Sequence, residues 1–247
     1  MAKKAISADL DRTLAFLSEV KQITTPADLT SAAMRATAAY GVKKILAGFI
    51  PRSGMLPSDQ MRHVLLADWP QEWAEIYFQN GFLFQDPTIR RVLSASPTFS
   101  WSDFSKGQDI GRNEKLVMDR AKDFSLGNGC TVSLVSLDGR NVGFSFAGAE
   151  VDDAPEAKGA MTLIASFAFG RALELRTAAT QASTRLTHRE REVVGWISAG
   201  KTDWEISVIL GISEKAIAKH IYNVRLKLGA MNRAHAVAEA IRKGLIT

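Results

Sequence analysis

The stretch Thr202–Leu228, TDWEISVILGISEKAIAKHIYNVRLKL, leaves the fewest choices of fold. Thr202 and Glu205, three residues apart, form a capping box that opens a helix. Trp204, Ile206, Val208, Ile209 and Leu210 supply its apolar positions, and Gly211 stops it, because glycine takes the left-handed cap conformation without a Cβ clash. Ser213 caps a second helix. In it Ile217, Ile221, Val224 and Leu228 recur at spacings of four, three and four, one buried stripe. The opposite face carries Lys215, Lys219, Tyr222, Asn223 and Arg225, with cations for phosphates and polar groups that reach base edges. Two helices with this turn and this second face match the helix-turn-helix, whose second helix enters the major groove.

The flanks extend the pair to four helices. Thr187 and Glu190 make another capping box, Val193, Val194 and Ile197 follow as an apolar stripe, and Gly200 ends the helix. Asn232 caps a last helix to Lys243, closed by Gly244, with Ala236, Val237, Ala240 and Ile241 expected to face inward. Residues 186–247 hold ten Lys/Arg against six Asp/Glu, so they carry +4 of the chain's net charge of +5. A small basic domain beside a larger, nearly neutral one suggests a nucleic-acid binder joined to something that reads another signal. A small helical bundle used only for packing is the plainer alternative.

The chain of 247 residues suits two domains. One cysteine, Cys130, excludes an internal disulfide framework and a multi-cysteine metal site, and fits a reducing, cytoplasmic compartment. Near the start, Asp9, Asp11 and Arg12 interrupt any signal-peptide apolar core, and no apolar run reaches membrane-spanning length. Residues 8–22 read as an amphipathic helix with Leu10, Leu14, Leu17 and Val20 on one face. Thr25-Pro26 opens a helix to Tyr40. Lys44–Pro51 and Arg62–Ala67 read as strands. Pro70–Gly81, Asp86–Leu93 and Asn113–Phe124 read as helices, with Pro97–Gly107 irregular and Gly127–Gly129 a tight loop. Cys130–Leu137 and Arg140–Ala147 alternate as strands joined by Asp138-Gly139, a two-residue hairpin signal, and Asp153–Arg176 is a long helix. The expectation is an α+β chain: an N-terminal α-β-α sandwich with an antiparallel sheet, then the C-terminal four-helix domain. The boundaries expected are 1–177, a small polar linker at 178–185, and 186–247.

Trp69, Trp73, Tyr77, Asp86, Pro87 and Trp101 concentrate three of the chain's five tryptophans in one segment. Trp73 and Tyr77 are four apart and share a helix face. Rings, an indole N–H, a phenol O–H and a carboxylate can clamp a small amphipathic ligand. The same residues also read as core aromatics and as an N-cap followed by proline, and the two readings are compatible.

The C-terminal module resembles the DNA-binding domain of LuxR-type transcription regulators along its whole length. Glu190, Gly200, Glu205, Ile206, Ser213, His220, Lys227, Leu228, Arg233 and Ala236 fall on that pattern; Ala216, where threonine is usual, and the pairing of Ala218 with Tyr222 depart from it. The aromatic segment is similar to the quorum-sensing branch, W-x3-Y-x8-D-P with a later tryptophan and glycine: Trp73, Tyr77, Asp86, Pro87, Trp101 and Gly129. The resemblance implies a quorum-sensing regulator binding an N-acyl-homoserine lactone, with no other cofactor. Trp73 would then donate to the lactone carbonyl, Asp86 accept the ligand amide N–H, and Tyr77 and Trp101 wall the pocket. Ser145 stands where the family has a hydroxyl near the amide, and Thr131 lies on the neighbouring strand of the hairpin. Trp69 replaces a usual tyrosine, while Val117 and Met118 stand where relatives carry bulkier aromatics. This implies a reshaped acyl pocket suited to an aryl or short branched acyl group. A homodimer would bind an inverted-repeat DNA operator through Lys201, Thr202, Lys215, Lys219, His220, Tyr222, Asn223 and Arg225, with RNA polymerase a further partner.

Other classes are less well supplied. A phosphorylation-controlled regulator needs an alternating parallel βα pattern that the N-terminal half lacks. A lactone or amide hydrolase would depend on Cys130 and His63 with no third group in view. A ligand-independent regulator would have no use for the Trp73/Asp86 pair.

Overall fold

The computed structural model describes residues 2–94, 96–106 and 110–246. Two compact units divide the chain, Met1–Arg176 and Thr177–Thr247.

In the first unit, α1 (Ala2–Glu19) and α2 (Pro26–Thr37) each continue into a short 3-10 turn. The Thr25 hydroxyl caps α2 by accepting from the Asp28 N–H at 3.1 Å. Then come β1 (Lys44–Phe49), α3 (Pro57–Met61), β2 (Val64–Ala67), α4 (Gln71–Gln79) and α5 (Pro87–Leu93). They are followed by β3 (Thr98–Ser100), α6 (Ser102–Lys106), α7 (Arg112–Lys122), β4 (Asn128–Val135), β5 (Asn141–Gly148) and α8 (Pro155–Thr184), whose residues after Arg176 fall in the second unit. The five strands form one sheet of order β2-β1-β5-β4-β3 with every pairing antiparallel.

Strand alternation divides the side chains between two cores. Ile45, Ala47, Cys130, Val132, Val142, Phe144 and Phe146 join α1, α2 and α8 residues such as Phe16, Leu29, Met161 and Ile164 in the first core. The second core holds Trp73, Tyr77, Phe78, Phe82 and Leu83 with Phe99, Trp101 and Val117. This is the expected α-β-α sandwich.

Several elements differ from expectation. Residues 97–107 are not wholly irregular: β3 and α6 lie there, and a three-residue strand is too short to show alternation. Gly129 belongs to β4 rather than to a tight loop. The hairpin turn is wider than two residues, since the Ser136 N–H donates to the Arg140 carbonyl at 3.0 Å. Residues 178–184, of linker composition, continue α8. Among the described side chains of α1, Thr13 and Phe16 are buried, as is Val20 in the turn that follows, while Leu10 and Leu14 are exposed. No described helix is long and apolar enough to cross a membrane.

The second unit contains α9 (His188–Ser198), α10 (Asp203–Leu210), α11 (Glu214–Leu228) and α12 (Arg233–Arg242). Each expected cap is made: Thr187, Thr202, Ser213 and Asn232 accept backbone N–H groups of the first turns. Gly211 and Gly229 end α10 and α11 at φ +64° and +65°, the left-handed region. Ile206, Ile217 and Val193 pack together, and Val194, Val224, Leu228, Ala236 and Ala240 form the neighbouring cluster. Of the apolar α10 positions only Ile206 is fully buried; Trp204, Val208 and Ile209 are exposed, as is Ile241 on α12. A helix of this length turns only one stripe inward, so hydrophobicity alone overstates its core.

Candidate functional site

The site of the first unit lies on the second-core face of the sheet. α4 exists because Pro70 fixes the entry and Gln71–Gln79 contains no breaker; its inward face is Trp73 and Tyr77, both almost fully buried. Trp69, just before α4, completes a cluster: its ring lies edge-on to Tyr77 at 5.2 Å between centroids and 6.2 Å from Trp73. Phe124 and Phe82 close on Trp73 at 5.3 and 6.2 Å. Tyr77 donates its O–H to Asp86 Oδ2 at 2.7 Å, while Asp86 Oδ1 accepts the Thr88 N–H at 2.7 Å and so caps α5. One carboxylate thus caps α5 through Oδ1 and holds Tyr77 through Oδ2. Burial pushes the Asp86 carboxyl above its ordinary range, opposed by the bonds from Thr88 and Tyr77, and burial beside Asp86 raises the Tyr77 phenol.

Two indole donors of this cluster, Trp69 Nε1 and Trp73 Nε1, are buried without a hydrogen-bond partner. A buried donor left unpaired is costly, so two side by side mark a place where acceptors belong.

Trp101, Thr131 and Ser145 are linked to each other. Trp101 Nε1 donates to Thr131 Oγ1 at 2.8 Å, and Thr131 lies 2.9 Å from Ser145 Oγ across the β4–β5 pair. Gly129 permits this, because a Cβ there would stand 2.8 Å from the Trp101 ring and 2.5 Å from the Phe146 carbonyl. Gly129→Ala is expected to push Trp101 off Thr131 and to lower stability by about 1–3 kcal/mol through overpacking, read in a denaturant melt followed by tryptophan fluorescence. An unchanged midpoint and spectrum would contradict this placement.

Thr131 and Ser145 line a small cavity of about 40 Å³, together with Leu46, Gly48, Gln60 and Gly143 among others. Gly48 and Gly143 are cross-strand partners, so the cavity floor lacks side chains there. Trp69, Trp73, Tyr77 and Asp86 do not line this cavity; the three aromatic residues belong to the same core as much of its apolar lining. Gln60, Phe82 and Phe124 escaped the sequence reading, since isolated residues in a loop or at a helix end have no periodic signal. A wider surface groove of about 500 Å³, lined by Arg90, Arg91, Asp103 and Phe104, holds none of the expected ligand residues.

The alternative nucleophile is badly placed. Cys130 is fully buried in the first core, and burial pushes its thiol up to about 12. His63 Nδ1 lies 3.0 Å from the Asp59 carbonyl. No described group of three or more His, Cys, Asp or Glu residues could hold a metal.

In the second unit Lys215, Lys219 and Tyr222 are exposed on one face of α11, with His220 and Asn223 partly buried beside it. Lys201 pairs with Glu205 at 3.0 Å, and Thr202 is occupied as the α10 cap. Arg225 donates to the Met231 carbonyl after the helix. Lys215, Lys219 and Tyr222 are thus the freest of the set to meet DNA, and Arg225 has a structural partner.

Comparison with known proteins agrees with both units. Residues 25–172 match the autoinducer binding domain and residues 184–240 the bacterial regulatory proteins of the luxR family. The chain is 34% identical over 220 residues to the transcriptional activator protein BjaR1 of Bradyrhizobium diazoefficiens, covering 89% of each. It is 34% identical over 235 residues to the HTH-type quorum sensing-dependent transcriptional regulator RpaR of Rhodopseudomonas palustris, covering 95% of each. The fold is shared with Escherichia coli SdiA, at a TM-score of 0.55 and 18% identity over 96% of this chain and 99% of that one. It is also shared with CepR2 of Burkholderia cenocepacia, at 0.55 and 15% over 69% and 99%. An autoinducer-binding unit followed by a LuxR-type helix-turn-helix, with full-length relatives that are regulators rather than enzymes, places this chain in the LuxR family of quorum-sensing transcriptional regulators.

Proposed function

We propose that the autoinducer is an N-acyl-homoserine lactone and that its binding controls a dimer on an inverted-repeat operator, in the cytoplasm. The observation that carries this reading is the pair of unpartnered indole N–H groups in the cluster whose Tyr77 is hydrogen-bonded to Asp86. A lactone of this class offers two carbonyl acceptors and one amide N–H. Trp73 donates to the ring carbonyl, Trp69 to the acyl carbonyl, and Asp86 accepts the amide N–H, with Ser145 and Thr131 beside it. Tyr77 and Trp101 hold the walls. The side-chain-free floor at Gly48 and Gly143 suits a flat aryl or compact branched acyl group better than a long chain. Since the cavity is only about 40 Å³, the ligand must part the second core as it enters, which couples occupancy to folding of this unit.

Exposed apolar residues support dimerisation through α8 and α12: Leu163 and Phe167 on the first, Ile241 on the second. Two recognition helices then read half-sites about one helical turn (~10 bp) apart, or a multiple of it. Lys201, Lys219, His220 and Arg225 hold phosphates, Lys215, Tyr222 and Asn223 read bases, and Thr202 places the α10 N-terminus near the backbone. RNA polymerase is the further partner at the promoter.

Operator binding by the full chain, titrated with lactone at several salt concentrations, tests this. Lys219→Ala is expected to reduce the salt slope by about 1 without altering site preference, whereas Tyr222→Ala should change the preferred sequence. Operator affinity independent of every lactone tried would replace this reading with a ligand-independent regulator.

A further inference from the structure

Gln60 sits on α3, between β1 and β2, and is 4% exposed. Its amide orientation is fixed from one side, because Nε2 donates to the Met55 carbonyl at 2.7 Å. Oε1 is therefore the free end. It is buried, has no hydrogen-bond partner, and belongs to a side chain that lines the cavity shared with Thr131 and Ser145. The other lining between them is largely apolar: Leu46, Ile50, Val64, Phe78 and Leu83. An amide oxygen is only an acceptor, so a carbonyl or an alkyl terminus leaves it unsatisfied, while a hydroxyl satisfies it.

Ser145 is on β5, paired with β1, and Gln60 belongs to the segment that joins β1 to β2. Thr131, Ser145 and Gln60 line the same cavity, so one acyl group can run from the hydroxyl pair to Gln60 Oε1. Gly48 and Gly143 between them leave room for a flat group there.

We propose that the lactone this chain accepts carries a hydroxyl donor at the far end of a short, flat acyl group, and that Gln60 Oε1 receives it. The inference rests on the lactone reading above and adds the chemical class of the acyl group. Leaving a buried acceptor unpaired makes discrimination against the analogue lacking the hydroxyl about tenfold or more.

The test compares 3-(4-hydroxyphenyl)propanoyl- and 3-phenylpropanoyl-homoserine lactone, with octanoyl-homoserine lactone as a third probe, on the full-length protein by calorimetry. The wild type should bind the hydroxylated lactone at least about tenfold tighter than its deoxy partner. In Gln60→Met, which keeps the volume, the ratio should collapse to near one through loss on the hydroxylated probe alone. Should that variant fold poorly, the wild-type ratio decides by itself. Equal affinity for the aryl pair, or preference for the deoxy or octanoyl probe, overturns the Gln60 assignment and leaves the lactone reading intact. Failure to bind any acyl-homoserine lactone, these three or another, overturns both.

Discussion

Asp86→Asn is expected to weaken lactone binding by about 10- to 100-fold while leaving the unliganded fold at least as stable as the wild type. Asparagine is as good an N-cap as aspartate, so its oxygen keeps the Thr88 N–H and α5 stays capped. What changes is the second oxygen. In the wild type Oδ2 accepts from Tyr77 and retains a lone pair for the ligand amide N–H. In the variant an NH2 group stands there; the Tyr77 hydroxyl can turn to accept from it, but the ligand amide N–H faces a donor. A hydrogen bond to a charged acceptor contributes about 1.5–3 kcal/mol, which sets the loss in affinity. Stability moves the other way for a separate reason. The Asp86 carboxyl is raised by burial, so the folded wild type binds a proton more readily than the unfolded chain. It thus loses stability as pH rises from the ordinary aspartate value through the folded one, and the neutral variant escapes that loss. Calorimetric titration and a thermal melt at neutral pH check both halves. Unchanged affinity would remove Asp86 from ligand binding; lower affinity accompanied by a collapsed melt would reduce it to a structural cap.

The candidate site residues were legible where one chemical role coincided with a local signal. Asp86-Pro87 announces a helix start, and the four-residue step from Trp73 to Tyr77 announces a shared face, so both survive translation into three dimensions. The four caps of the second unit were legible for the same reason: capping acts within four residues of chain. What was not legible depends on neighbours distant in sequence. β3 is a strand because it lies along β4, not because three residues prefer to extend. Gly129 looked like a turn because nothing in a Gly-Asn-Gly string reveals the Trp101 ring laid against it. Leu10, Leu14, Trp204 and Val208 show the opposite error, since an apolar residue is assigned to the core by default although a folded surface keeps much apolar area. Gln60 had no signal at all; it stands out only once its amide nitrogen is tied to Met55 and its oxygen is left over.

In the second unit, Lys227→Met should cost more stability than Glu190→Gln, although each removes one partner of the same ion pair. Glu190 is 4% exposed, and its Oε2 accepts both Lys227 Nζ at 2.6 Å and the Thr187 N–H at 2.7 Å. Burial pushes this carboxyl up, but the Lys227 ammonium and the Thr187 cap outweigh burial and hold it below the ordinary glutamate range. Removing Lys227 strands a buried carboxylate, a loss of about 3 kcal/mol and a large fraction of what a unit of this size possesses. Glu190→Gln strands nothing comparable, because the amide oxygen still accepts from Thr187 and the lysine head, 30% exposed, reaches water. Its cost is about 1 kcal/mol. The pH dependence separates this from simple packing loss. A depressed folded value means that the pair's contribution is complete above the ordinary value of 4.5 and disappears as pH falls through the folded one. Glu205, held at about 2 by the Thr202 N–H, Lys201 and the Thr202 hydroxyl, follows the same sign on α10. Hydrogen exchange of α9 and α11 amides in the full chain should therefore show Lys227→Met far less protected than wild type at pH 7, the gap narrowing as pH falls below 4.5 and Glu190 takes up its proton. A gap that stays constant with pH would assign the loss to the lysine's methylene packing instead. Equal costs for the two variants would mean that the carboxylate is not effectively buried.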